Sequence, residues 1–259
     1  KISVNNEIKQ ASSFTPDNSG LVSKNVHKIY VDSFDVKWFG TDKGISRFDG
    51  LNWTLIDTSN YLRENTINDI LYEKTKYGHE IWVATNGGLS VMSFTVDGVT
   101  SATTYYVGGS ESGIISDTVT AVGLDKNHNR WIATPKGINT FGSKGWDTVY
   151  TYLNADHEEK DWNGLIVNAI GNYEKDGSVY LGTSGEGVIR YAYNEIDGFT
   201  GASAMSNTWS GLWSDTILSV SIYDTIQWYG TPQGAFEHFC PSTKEYWDFS
   251  LTPWDNLLN

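Results

Sequence analysis

The sequence predicts an all-β fold, a propeller of five four-stranded blades, on three observations. An aromatic-x-small-Thr motif followed by a glycine-headed aliphatic recurs five times, at spacings of 44, 49, 49 and 48 residues. The 259-residue chain also carries 26 Gly, 11 Trp and 15 Tyr. Glycine with aromatic and β-branched residues suits short strands joined by tight turns. A period near 48 lies in the range of propeller blades and outside that of helical solenoids.

The five copies occupy residues 36–45, 81–89, 130–138, 179–188 and 227–235, with the small residue at Gly40, Ala84, Ala133, Gly182 and Gly230. Ahead of the motif runs an apolar first strand (26–31, 119–124, 217–222) and a polar turn such as 125–129. After it, the glycine before Ile45, Leu89, Ile138, Val188 or Ala235 opens an alternating third strand. The fourth strand carries an aromatic, as at Trp53, Trp146 and Tyr246-Trp247. Such a small twisted sheet must stack on its neighbours to bury both faces, and a ring of blades leaves no long free edge. Trp38, Trp82, Trp131, Tyr180 and Trp228 are expected between blades. The small residue fits a crowded axis, where the threonine can bond neighbouring backbone.

One domain thus spans 1–259, with repeats at about 20–57, 61–107, 113–152, 163–205 and 211–250. Residues 1–14 resemble the third and fourth strands of a blade and are expected to close the ring by pairing with the last one. Residues 254–259 resemble the link that begins a new repeat. A six-bladed ring with one incomplete blade is the alternative.

Composition excludes several classes. With 18 Lys+Arg against 31 Asp+Glu the net charge is −13, which argues against nucleic acid, whose phosphates need clustered cations. A hydrophobic share of 39% against 19% charged excludes a disordered chain. One cysteine, Cys240, allows no intramolecular disulfide, and the five histidines form no nucleophilic motif with it. No apolar run approaches the roughly 18 residues of a membrane span. Asp125-Lys126-Asn127-His128-Asn129 has the look of a calcium loop but lacks the sixth-position glycine, so it reads as a solvated turn. No metal or cofactor is expected.

The pattern Val-x-x-Ile, Asp, Trp-Phe-Gly-Thr-x-x-Gly-Ile-x-x-Phe-Asp-Gly, complete over residues 26–50, resembles the two-component regulator propeller repeat. The resemblance covers about residues 20–250. It implies a β-propeller of the kind found in periplasmic sensor regions of bacterial hybrid histidine kinases and in secreted relatives, hence a periplasmic or extracellular location. This sequence has fewer repeats than those sensors and carries neither a transmembrane segment nor a kinase domain.

Ligands of propellers usually meet the face built from the turns between second and third strands and from the links between blades. The turns offer Asp42, Lys43, Lys136, Glu186 and Gln233. The links offer Trp-x-[Gly/Asn]-Leu at 162–165, 209–212 and 254–257, hence Trp162 and Trp209, with Trp213 following the second. Such tryptophans either stack on a sugar ring or fold back over the blade end. His27 and Asn68, with Thr120, Asn168 and Leu218 at matching places, are expected to line the axis as a polar pocket. Three function classes stand. One is a non-catalytic module binding an oligosaccharide or a protein. Another is an assembly subunit that self-associates through its terminal strands. The third is a propeller glycosidase or lyase, for which no catalytic carboxylate set is visible, because Asp32, Asp125 and Asp224 fall in outer turns.

Overall fold

The computed structural model describes residues 13–173, 177–194, 198–206, 211–223 and 226–239. Among these there is no helix, and the strands form five consecutive antiparallel blades. Blade 1 contains β1 (Val26–Val31), β2 (Lys37–Thr41), β3 (Gly44–Phe48) and β4 (Trp53–Ile56). Blade 2 contains β5 (Ile67–Thr75), β6 (Gly78–Thr85), β7 (Gly88–Thr95) and β8 (Gly98–Tyr105). Blade 3 contains β9 (Ala121–Leu124), β10 (Arg130–Thr134), β11 (Gly137–Gly142) and β12 (Gly145–Val149). A two-stranded ribbon, β13 (Thr151–Leu153) and β14 (Glu159–Asp161), intervenes. Blade 4 contains β15 (Val167–Tyr173), β16 (Ser178–Thr183), β17 (Val188–Asn194) and β18 (Gly198–Met205). Blade 5 shows β19 (Ser219–Tyr223), β20 (Ile226–Thr231) and β21 (Gly234–Phe239). The fourth strand expected near Tyr246, and most of the closing segment 1–14, lie outside the described residues.

First strands touch first strands, β1 on β5, β5 on β9, β9 on β15 and β15 on β19, so they converge on the axis and later strands fan outward. Four separate apolar cores lie between blades, not within one. Trp38 and Ile45 of blade 1 meet Ile67, Ile70 and Phe94 of blade 2. Trp82 and Leu89 meet Val119, Val122 and Ile132. Trp131 and Ile138 meet Val167, Leu181 and Tyr191, and Tyr180 meets Ile217 and Tyr229. Period-2 alternation explains the geometry. The aromatic and the small residue two places on share the face turned to the next blade, so a Cβ on Gly40 would come within 2.7 Å of Ile67. Trp38, Trp82, Trp131 and Tyr180 are buried as expected, but Trp228 of blade 5 is 44% exposed. At the other end, Ile29 of blade 1 is 57% exposed. No contact comparable to those between successive blades joins the described strands of blade 5 to blade 1.

The motif threonine closes each β2–β3-type turn. Thr41, Thr85, Thr134, Thr183 and Thr231 donate from Oγ1 to the carbonyls of Gly44, Gly88, Gly137, Gly187 and Gly234 at 2.7–2.9 Å. The same oxygens accept N–H groups from the turn, such as Lys43, Gly87 and Lys136. Gly88, at φ 133°, shows why the glycine is needed, since a Cβ there would sit 2.5 Å from the Tyr105 carbonyl oxygen. At the opposite end of the blade, Asp32 accepts from the N–H groups of Phe34 and Val36 and from Trp38 Nε1. Asp125 repeats this with Asn127, Asn129 and Trp131 Nε1. These buried carboxylates are turn caps that also satisfy the buried indoles.

Candidate functional site

The links between blades share a face with the β2–β3-type turns, because each first strand begins where its neighbour strand ends, as Val26 opposite Thr41 shows. Every link is held by one buried apolar anchor five residues before the first aliphatic of the next blade: Leu21, Leu62, Ile114, Trp162 and Leu212. The residue after the anchor sits at the surface layer and varies, being Val22, Arg63, Ile115, Asn163 and Trp213. Val22 and Ile115 are half-buried and donate their N–H groups to Ser46 Oγ and Asn139 Oδ1 of the blade they introduce. Ile115 and Trp213 lie over the turn glycines Gly137 and Gly234. An isoleucine is enough to cover such a turn, yet Trp213 is 58% exposed.

This register separates two tryptophans that the Trp-x-[Gly/Asn]-Leu pattern treats alike. Trp162 is itself the anchor, fully buried, with its ring tilted against that of Tyr152 at 4.7 Å, so it folds back on the blade. In the second copy Leu212 is the anchor, and Trp209 lies outside the described residues. Desolvation by burial, with the charges of Glu186 and Asp161 nearby, pushes the Tyr152 hydroxyl up to about 12.

His27 and Asn68 belong to a set of ties between first strands. A bulge in the first strand turns the residue toward the next blade, where His27 Nδ1 pairs with the Ile67 carbonyl (2.9 Å). Asn68 Nδ2 donates to Val119 O (2.7 Å) and to Asn86 Oδ1, and Asn168 Nδ2 donates to Ile217 O (2.8 Å). The axial polar groups thus join blades. Asp42 accepts from Asn25 Nδ2, and its hydrogen bonds to Ser23 and Asn25 hold its carboxyl below the usual range. Lys43, Lys136 and Gln233 are exposed at the corresponding turns of blades 1, 3 and 5. Glu186 is half-buried, and burial together with Asp215 pushes its carboxyl up. The structure therefore spreads the predicted residues along an arc. Trp213 lies over Gly234, which follows Gln233 in the chain, and Asp42 and Lys43 adjoin at the first turn. Among the described residues, no group of three or more His, Cys, Asp or Glu side chains is placed to hold a metal ion.

The link between blades 1 and 2 borders a cleft of about 530 Å³ lined by Asn60, Tyr61, Leu62, Arg63, Ala102 and Thr104. The repeat pattern did not point to it. Its sequence signal is a cationic residue at the position that Val22 and Ile115 fill in two other links.

In three dimensions the chain is similar to the extracellular domain of the hybrid two component system BT3049 from B. thetaiotaomicron. The TM-score is 0.60 at 18% identity, over 84% of this chain and 28% of that one. It is similar to PorZ, a bacterial surface component of the type-IX secretion system of Porphyromonas gingivalis, at TM-score 0.61 and 16% identity, over 89% of this chain and 34% of that one. The shared feature is the propeller. The WD40 β-propeller domain of Doa1 also matches, at TM-score 0.55 and 13% identity, over 85% of this chain and 64% of that one. At these identities the likeness is one of fold, and the chain spans about a third or less of the first two proteins. No family model and no curated protein sequence matches it. The neighbours BT3049 and PorZ are extracellular or surface proteins, and no helix among the described residues is long and apolar enough to cross a membrane.

Proposed function

We propose that this chain is a non-catalytic binding propeller of the periplasm or cell exterior that takes an oligosaccharide on its link face. The observation that carries the reading is Trp213. Its ring exceeds what packing over Gly234 requires and is 58% exposed, with Gln233 exposed one residue before that glycine. An apolar aromatic face with a neighbouring amide suits stacking on a sugar ring and bonding to its hydroxyls. The buried carboxylates Asp32, Asp69, Glu73 and Asp125 support a binding role over hydrolysis. Each is already committed to turn N–H groups, to Lys28 or to Arg130. The location follows the similarity to extracellular propellers.

A glycan array followed by titration calorimetry tests the reading. Trp213→Ala should weaken the captured saccharide at least tenfold while leaving the denaturation midpoint in place. Absence of any saccharide hit, or equal binding by the variant, sinks it. The exposed apolar residues at the two ends, Ile29 and Val31 on blade 1 and Leu218, Tyr223 and Trp228 on blade 5, favour a second reading as an assembly subunit. Concentration-dependent association in light scattering, reduced by Trp228→Ser, would support that reading.

A further inference from the structure

We propose that the cleft between the blade 1–2 link and the outer strand of blade 2 is a second ligand site, one that binds a carboxylate-bearing sugar through Arg63. Arg63 follows the anchor Leu62, the same link position that Trp213 occupies before blade 5. Its guanidinium carbon lies 3.8 Å from the centroid of the Tyr106 ring, so the side chain is held flat against an aromatic face. Arg63 makes no hydrogen bond or ion pair among the described residues, although the chain carries a net charge of −13.

The neighbouring carboxylates explain why it stays unpaired. Glu64 turns back on Thr66, accepting from its N–H at 2.8 Å and from its hydroxyl at 3.2 Å. Asp57 accepts from the N–H and hydroxyl of Ser59, and Asp117 accepts from the N–H of Val107. The link itself is fixed. The N–H groups of Asn60, Tyr61 and Leu62 all donate to the Asp57 carbonyl, and Asn60 Oδ1 accepts from Asp57 and Tyr61 N–H. The cation is therefore preorganised by the ring beneath it and by a locked turn beside it, on an exposed side chain.

A volume of about 530 Å³ falls in the range of small-ligand pockets, roughly 300–1,000 Å³. No carboxylate lines it, while Tyr61 and Thr104 supply an aromatic surface and a hydroxyl. A planar carboxylate matches the guanidinium fork in bidentate fashion, and the rest of a sugar ring would lie along Tyr61. The net negative charge of the chain disfavours general attraction of anions, so selectivity would rest on this one fork. The inference is separate from the Trp213 reading and stands whether or not a neutral saccharide binds there.

The test is calorimetric titration of the full chain with digalacturonate and with its neutral methyl ester. The expected result is millimolar or tighter binding of the acid, weakened by added salt, with at least tenfold weaker binding of the ester. Arg63→Ala should reduce affinity for the acid at least tenfold, and Arg63→Lys should recover only part, because an ammonium lacks the fork. Lys144→Ala, which removes an exposed charge on blade 3, should change nothing. If the acid fails to bind at 10 mM, binds no better than the ester, or binds equally to Arg63→Ala, the proposal is overturned. Circular dichroism of each variant separates misfolding from loss of the site.

Discussion

Truncating Trp131 to alanine probes the claim that blades are held by the faces they press together. Trp131 is buried between blades 3 and 4, with its ring 5.4 Å from that of Tyr191 and its indole N–H donating to Asp125 Oδ2 at 3.2 Å. Burying an aromatic surface of about 200 Å² at about 25 cal/mol per Å² corresponds to about 5 kcal/mol, and Trp→Ala changes in cores usually cost about 3–5. Losing one donor to the buried Asp125 adds about 1 kcal/mol, since its bonds to Asn127 and Asn129 remain. A total of about 4–6 kcal/mol is a large part of the roughly 5–15 available to a domain. Trp131→Phe keeps most of the area and should cost about 1–2 kcal/mol. Trp228 occupies the equivalent place on blade 5 but is 44% exposed, so Trp228→Ala should cost less than half as much as Trp131→Ala. Urea denaturation followed by circular dichroism, with midpoints compared at a shared slope, reads the series. The reasoning fails if Trp131→Ala stays within about 1 kcal/mol of the parent, or if the two alanine variants are equally destabilised.

Three further outcomes can be checked. Asn68→Ala removes the donor that links blade 2 to the Val119 carbonyl and should cost about 1–2 kcal/mol in the same titration. Gly88→Ala places a Cβ against the Tyr105 carbonyl at φ 133° and should lower stability by about 1–3 kcal/mol, while Gly98→Ala, whose site is open, should cost less although its φ is also positive. Glu186 is raised by burial and then by Asp215, so its folded form favours the proton. The stability it contributes is present below the unfolded value near pH 4.3 and is lost as pH rises through the folded one. Glu186→Gln should therefore raise the melting temperature at pH 7 and give no gain at pH 4. A gain of the same size at both pH values would refute the electrostatic account.

The blades were legible because one physical demand repeats five times. A strand that must turn an aromatic and a small residue toward its neighbour, then close a tight turn, leaves little choice beyond Trp-x-Gly-Thr and a following glycine. The burial of Trp38, Trp82, Trp131 and Tyr180 follows from that demand. The ribbon β13–β14 was not legible. It leaves the 49-residue spacing from Ala133 to Gly182 unchanged, its strands are only three residues each, and it is held from outside by Tyr191, whose hydroxyl donates to the Thr151 carbonyl. The links misled for a related reason. Trp162 and Trp209 sit in matching tetrapeptides, but the structure aligns Trp162 with Leu212, because the distance to the next first strand decides which residue is buried. A local motif carries no information about that distance.

The axial residues show the same logic from the other side. His27, Asn68 and Asn168 look like a polar ring suited to a ligand, yet each pairs with a backbone carbonyl of the next blade, that of Ile67, Val119 or Ile217. A buried carbonyl without a donor costs about 1–3 kcal/mol, so the repeat itself calls for a donor at that place. Binding chemistry is freer where the repeat makes no such demand. In the links the anchor is fixed by burial, and the next residue needs only to cover a turn, so Val22 and Ile115 can give way to Arg63, Asn163 or Trp213 without disturbing a core. Arg63, with its guanidinium over the Tyr106 ring, and Trp213, with its exposed indole, occupy that same position in two different links.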